Sequence, residues 1–373
     1  MTSRLQPLEK PLAVTRPLLP PLEAYHAQLA EIWQSQQLTN FGAFHRRLEA
    51  ALAQRSGHGR VTLWNNGTTA LIAMLQAARA TNDVVVTPFT FPATVHAITA
   101  LGLNPVFADV DPETLTLSPD AVAEAITPTT SAVLGTHIYG TACDAEALGK
   151  VARAHGAKLL FDGAHSFAVP APAFTSDAAL GDATMLSFHA TKLFHTVEGG
   201  AVLTPDPGIH ERLQAVRNFG IESEDVVGGF GVNGKMSELH AALGLLTLDM
   251  LDAEIERRRE VAGLYLERLD GVEGVRVISG KGESMQYFVV RINAKAFGAS
   301  RDAVHARMRR HNVLSRKYFY PLCSDIGIYA DRPSAHNLPE ARRAADEVLA
   351  LPFYGGLTAE LVNYVCDVLL GGE

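Results

Sequence analysis

From about residue 60 the sequence alternates short, continuously apolar runs with stretches of helical period, and this rhythm constrains the fold more than any other feature. The apolar runs are 60–65, 83–87, 104–109, 131–137, 157–162, 183–187 and 200–204. They are apolar throughout rather than alternating, so each predicts a strand buried on both faces. Four of the gaps hold helical patterns, at 69–80, 91–101, 119–125 and 145–155. Strand–helix–strand repetition predicts one large α/β domain with a seven-stranded, mainly parallel sheet covered on both sides.

The flanks read differently. Residues 20–37 and 43–54 predict two helices, the second closed by Ser56-Gly57. Beyond Met236, one long and partly broken helix is predicted over 237–268, with 254–260 as a solvated, charged face. Strands at 275–279 and 287–292 and helices at 301–311 and 358–370 then predict a smaller α/β domain. The boundary falls near residue 250, giving a large domain of 1–250 and a small one of 251–373. A chain of 373 residues suits that division.

Composition narrows the classes of function. Hydrophobic residues are 47% and charged residues 19%, a globular balance, and the formal net charge is −8. That charge argues against nonspecific binding of nucleic acid. No apolar run approaches the roughly 18 residues of a membrane span. Residues 1–20 carry no signal-peptide core, and the three cysteines, Cys143, Cys323 and Cys366, are scattered. A cytoplasmic protein is expected, with no disulfide framework and no metal site.

The chemistry concentrates at the carboxyl ends of the predicted strands, where open α/β sheets bind their ligands. After the first strand, Asn65-Asn66-Gly67-Thr68-Thr69 opens a helix. Glycine, hydroxyls and free amides there can cradle a phosphate; a plain glycine turn with a threonine cap reads equally well. The fifth strand ends on Asp162, which is either a loop cap or the partner of a cation. The sixth ends on Ser187 and leads to Lys192, either a solvated charge or a desolvated nucleophile. In combination the readings converge. Phosphate loop, strand-end aspartate and a lysine 30 positions later are what pyridoxal phosphate needs for its phosphate, ring nitrogen and aldehyde.

Those segments resemble a known family. Asn66-Gly67-Thr68-Thr69-Ala70-Leu71, Pro88 to Thr94, Phe161-Asp162-Gly163-Ala164-His165, Ser187 to Gly200 and Gly231 to Met236 are similar to the DegT/DnrJ/StrS aminotransferases. These are the sugar-nucleotide branch of the fold-type I pyridoxal-phosphate enzymes. The resemblance implies Lys192 as the Schiff-base and proton-transfer lysine and Asp162 on the pyridine nitrogen. It implies Phe91 stacked on the ring, and Gly67, Thr68 and Ser187 on the phosphate. Asn233 would reach the phosphate of the neighbouring subunit, so a homodimer with shared sites is implied. His165 stands where many members have Gln, and would touch the ring or its phenolic oxygen. The lysine distinguishes the chain from sugar-dehydrating members, which have His there. His-Ala-Thr-Lys with Glu-Gly-Gly is most similar to the viosamine-type branch, which forms 4-amino-4,6-dideoxy sugars on dTDP from L-glutamate and a 4-keto sugar nucleotide. Rival readings are a 3-aminotransferase, a GDP- or UDP-sugar enzyme, and a regulatory protein that only binds the cofactor. Tyr318 and Tyr320 would line a sugar site or pack between the domains.

Overall fold

The computed structural model describes residues 5–168, 177–280 and 284–371. Two helices, α1 (Leu22–Ser35) and α2 (Ala43–Ser56), precede the sheet. The sheet region then runs β1 (Val61–Trp64), α3 (Gly67–Ala77), β2 (Asp83–Val86), α4 (Pro92–Ala100), β3 (Asn104–Phe107), α5 (Pro119–Ala125) and β4 (Thr130–Thr136). It continues through α6 (Ala145–Ala154), β5 (Lys158–Asp162), α7 (Asp177–Leu180), β6 (Ala183–Ser187) and β7 (Gly200–Leu203).

These strands form one seven-stranded sheet in the order β1-β7-β6-β5-β4-β2-β3. All run parallel except β7, which is antiparallel to both neighbours, Trp64 lying opposite Gly200 and Ser187 also opposite Gly200. Strands such as β1, β5 and β6 are apolar on both faces because helices cover both. Leu63 and Leu186 face one core and Trp64 and Met185 the other. The order places β5 and β6 side by side, so Asp162 and Ser187 end at one edge.

Next come α8 (Pro207–Arg217), the hairpin β8 (Ile221–Ser223) and β9 (Val226–Val227), α9 (Glu238–Asp249) and α10 (Leu251–Leu269). The single long helix expected here is therefore two, broken at Met250. Nor is 254–260 wholly solvated. Glu254 and Arg258 are buried, and Arg258 Nε donates to Glu254 Oε1 at 2.7 Å and Nη1 to the Met285 carbonyl at 2.9 Å. Sequence pattern alone does not separate an exposed charge run from one that holds an internal ion pair.

The second sheet is antiparallel, built from β10 (Val275–Ser279), β11 (Phe288–Ile292) and β12 (Val348–Leu351). Around it lie α11 (Ala294–Phe297), α12 (Arg301–Arg310), α13 (Pro339–Glu347) and α14 (Ala359–Leu370). The sequence reading missed β12, because it follows α13 with no intervening turn. The N-terminal segment is tied to the loops beside this second sheet. Leu12 N–H donates to the Asn312 carbonyl at 2.8 Å and Phe353 N–H to the Val14 carbonyl at 2.9 Å.

Candidate active site

At the carboxyl edge of the large sheet lies a cavity of about 390 Å³ lined by Gly67, Thr68, Phe91, Asp162, His165, Ser187 and Lys192 among others. Seven of the eight residues singled out in the sequence thus share one site. Asn233 is not in its lining. It is exposed, its carbonyl accepting from Asn65 Nδ2 at 3.1 Å.

The loop after β1 enters α3 directly, two residues earlier than the sequence predicts. Asn66 Oδ1 caps the helix, accepting from Thr69 N–H at 2.8 Å and Thr69 Oγ1 at 2.9 Å. The first intrahelical bond is Ala70 N–H to the Asn66 carbonyl. The Gly67 and Thr68 amides therefore precede the ladder and are available to an anion. A β-carbon on Gly67 would stand 3.1 Å from Ser187 Cβ and 3.2 Å from its Oγ. Glycine keeps that cradle open.

Asp162 is buried at the end of β5. Thr94 Oγ1 donates to its Oδ2 at 2.6 Å and Ala164 N–H to its Oδ1 at 3.0 Å. Two donors do not saturate a carboxylate, and no ion pair to it exists among the described residues. Burial raises its pKa, opposed by Thr94, Ala164 and the charge of Lys192. Behind it, Thr94 bonds Thr90 at 2.8 Å, and Thr90 bonds Thr136 at 3.1 Å. This threonine chain escaped the sequence reading, since threonines in such a pattern look like β-formers and caps.

Lys192 sits in the 188–199 loop between β6 and β7, closed at its base by Phe188 N–H to the Gly199 carbonyl at 2.9 Å. Buried Gln286 brackets the lysine, accepting from Leu193 N–H at 2.7 Å and donating to the Thr191 carbonyl at 3.2 Å. Burial of the amine lowers its pKa to about 8, although Asp162 and Tyr318 pull the other way. The Nζ has no ion pair among the described residues, and the Tyr287 ring centroid lies 6.0 Å away.

His165 accepts a hydrogen bond at Nδ1 from Tyr139 N–H at 3.2 Å. Its proton must then sit on Nε2. Burial holds it neutral, its pKa well below the usual histidine range. Phe91, the N-cap of α4, is 56% exposed at the cavity mouth, so its ring is free to cover a bound planar group. Glu198, Tyr287, Arg316 and Tyr318 complete the wall. Of these, Tyr287, Glu198 and Arg316 had not been assigned to a site. Glu198 stands in the Glu-Gly-Gly motif and Arg316 just before Tyr318, but neither was given a role, and Tyr287 lies in a plain strand pattern.

The family model of the DegT/DnrJ/EryC1/StrS aminotransferases matches residues 23–370. The chain belongs to that family. A dTDP-4-amino-4,6-dideoxy-D-glucose transaminase of Escherichia coli is 39% identical, over 97% of this chain and 99% of that protein. The enzyme of the same description from Shigella dysenteriae is 37% identical over the same shares. Among solved structures, that of DesI with its TDP-sugar product superposes with a TM-score of 0.93 at 37% identity, over 98% of this chain and 94% of that one. The seven-stranded sheet is thus that of a sugar aminotransferase family. No described helix is long and apolar enough to cross a membrane.

Proposed function

We propose that the chain transfers the amino group of L-glutamate to C-4 of a nucleotide-linked 4-keto-6-deoxyhexose, dTDP-4-keto-6-deoxy-D-glucose, using pyridoxal 5'-phosphate. The observation that carries this is the pairing, in one cavity, of a buried carboxylate and a half-buried lysine amine, neither with an ion pair among the described residues. A glycine-floored cradle of helix amides completes the set. Those are the three partners the cofactor needs, so the residues present fit it. The two transaminase relatives, alike over nearly their whole length, support the sugar and the nucleotide.

Bound, the cofactor supplies an electron sink that stabilises negative charge at the reacting carbon. Asp162 would hold the ring nitrogen protonated, and the charge it meets there would offset its burial. Gly67, Thr68 and Ser187 would take the phosphate, and Phe91 would cover the ring. Neutral His165 would donate from Nε2 to the phenolic oxygen. Lys192 would hold the aldehyde carbon and then, freed, move a proton between the cofactor carbon and the sugar carbon. An amine brought to about 8 can take and return protons near neutral pH. Asn233 would serve the partner's site in a homodimer.

The test is spectral and chemical. Adding L-glutamate to the holoenzyme should shift its visible absorbance as the amine loads. Incubation with dTDP-4-keto-6-deoxy-D-glucose should restore the spectrum and yield the 4-amino product. A spectrum indifferent to every amino acid would mean a cofactor-binding protein and sink the proposal; amination of a GDP- or UDP-linked sugar instead would correct the nucleotide.

A further inference from the structure

A second cavity, also about 390 Å³, adjoins the first; Thr90, Phe91, Arg316, Tyr318 and Phe319 line both. Its own wall carries His305, Arg309 and Lys317. Lys317 is committed, its Nζ lying 2.6 Å from Asp302 Oδ1. His305 Nδ1 bonds Ser315 Oγ at 2.8 Å, and burial with the neighbouring Lys317 and Arg309 lowers its pKa. Two cations remain. The guanidinium groups of Arg309 and Arg316 have no ion pair among the described residues. Arg316 is fixed only through its backbone, which exchanges hydrogen bonds with Ala350 at 3.0 and 2.8 Å beside β12.

The chemistry of the proposed reaction loads one site with two different anions in turn. An amino-acid donor brings carboxylates; the acceptor brings a diphosphate. Both must present their reacting carbon to the same cofactor atom near Lys192. In the cofactor cavity the lysine and arginine side chains are Lys192 and Arg316. Lys192 is bound to the chemistry itself. A carboxylate in that cavity therefore has Arg316 as its available partner, and a guanidinium offers it two parallel donors. The acceptor is longer. With its sugar in the first cavity, its diphosphate must leave through the shared wall, where Arg316 meets it again and Arg309 stands beyond.

We propose, resting on the function above, that Arg316 is the common anion anchor of both half-reactions: it takes a donor carboxylate in one and a diphosphate oxygen of the sugar nucleotide in the other. Arg309 belongs to the diphosphate alone. The two substrates are then mutually exclusive through one guanidinium.

Glutarate and thymidine diphosphate serve as probes, titrated calorimetrically into the holoenzyme. On the wild type they should compete, each raising the other's apparent Kd. Arg316→Gln should weaken both by about ten- to a hundredfold, the loss of one charge-assisted contact. Arg309→Gln should weaken thymidine diphosphate only. Propylamine, which has no carboxylate, should perturb the cofactor spectrum of Arg316→Gln and wild type alike, showing an intact cavity. If Arg316→Gln loses its cofactor band, Arg316→Lys decides, since a single ammonium should lower both affinities in parallel. Simultaneous binding without competition, unchanged glutarate affinity in Arg316→Gln, or a wild type that binds neither probe overturns the proposal. A wild type that binds both competitively yet never transaminates leaves the anchor standing and removes the function. Normal transamination with independent probe binding does the reverse.

Discussion

At the scale of the residue, the site sets two ionisable groups against their surroundings. Asp162 is buried with two donors, so its environment waits for a cation. Asp162→Asn removes the charge and keeps the shape. It should leave the fold intact and lower kcat by about a hundredfold or more, the scale seen when one electrostatic partner of a reaction is lost; a mutant with full kcat would refute the nitrogen contact. Thr94→Val tests the support behind it. The buried carboxylate would lose its 2.6 Å donor, at a cost of about 1–3 kcal/mol to the apoenzyme in urea unfolding. Lys192 gives a pH prediction. Folded, its amine titrates near 8; unfolded, near 10.5. The neutral amine is the nucleophile, so cofactor uptake by the apoenzyme should quicken about tenfold per pH unit up to 8 and then level off. The sign for stability follows. Between 8 and 10.5 the unfolded chain binds the extra proton, so this lysine's contribution makes the apoenzyme more stable as pH rises through that window. Stopped-flow reconstitution and denaturant titrations across pH check both, and Lys192→Ala should abolish turnover and the rate profile together.

At the scale of the element, legibility followed sequence locality. The strands of the large sheet were readable because continuous apolar runs bounded by turns have few other meanings. Gly67, Asp162, Ser187 and Lys192 were readable because each stands at such a strand's end or in the loop that leaves it. Thr94, Gln286 and Arg316 were not, because their roles come from contacts across long stretches of chain. Gln286 lies 93 positions from the amide it accepts from. The same separation makes it a useful probe. Gln286→Ala strips both brackets from the lysine loop and orphans the buried Leu193 N–H. Stability should fall by about 1–3 kcal/mol, and kcat should fall more than KM rises, since the amine is displaced while the substrate walls stay. Steady-state kinetics with thermal melts separate the two. An unchanged kcat would mean the loop holds its shape unaided. The break at Met250 and the inward turn of Arg258 belong to the same class, where periodicity reports a helix but not which tertiary neighbour meets each face.

At the scale of the molecule, the segment around β8 and β9 exposes an apolar set, with Val227 68%, Phe230 54% and Phe219 48% accessible. Asn233 follows it directly. In the proposed homodimer a second copy would cover this segment and take Asn233 at its own cradle. Asn233→Ala should then weaken cofactor retention by about ten- to a hundredfold. A mixed dimer of Asn233→Ala and Lys192→Ala chains sharpens the test. If the contact crosses the interface, both lesions gather in one site and the other binds cofactor at wild-type strength. If binding at the intact Lys192 site stays as weak as in the Asn233→Ala homodimer, the cross-subunit role is wrong. One architectural detail also governs how such a molecule can move. Because β7 runs against its neighbours, the loop carrying Lys192 leaves and re-enters the sheet at the same edge, its two ends joined through Phe188 and Gly199. It is a ring welded at its base, not a flap on a hinge. The lysine is thus held from two strand ends at once, while the stretch from Arg316 to Pro321, which lines the adjoining cavity, hangs from the edge of the second sheet.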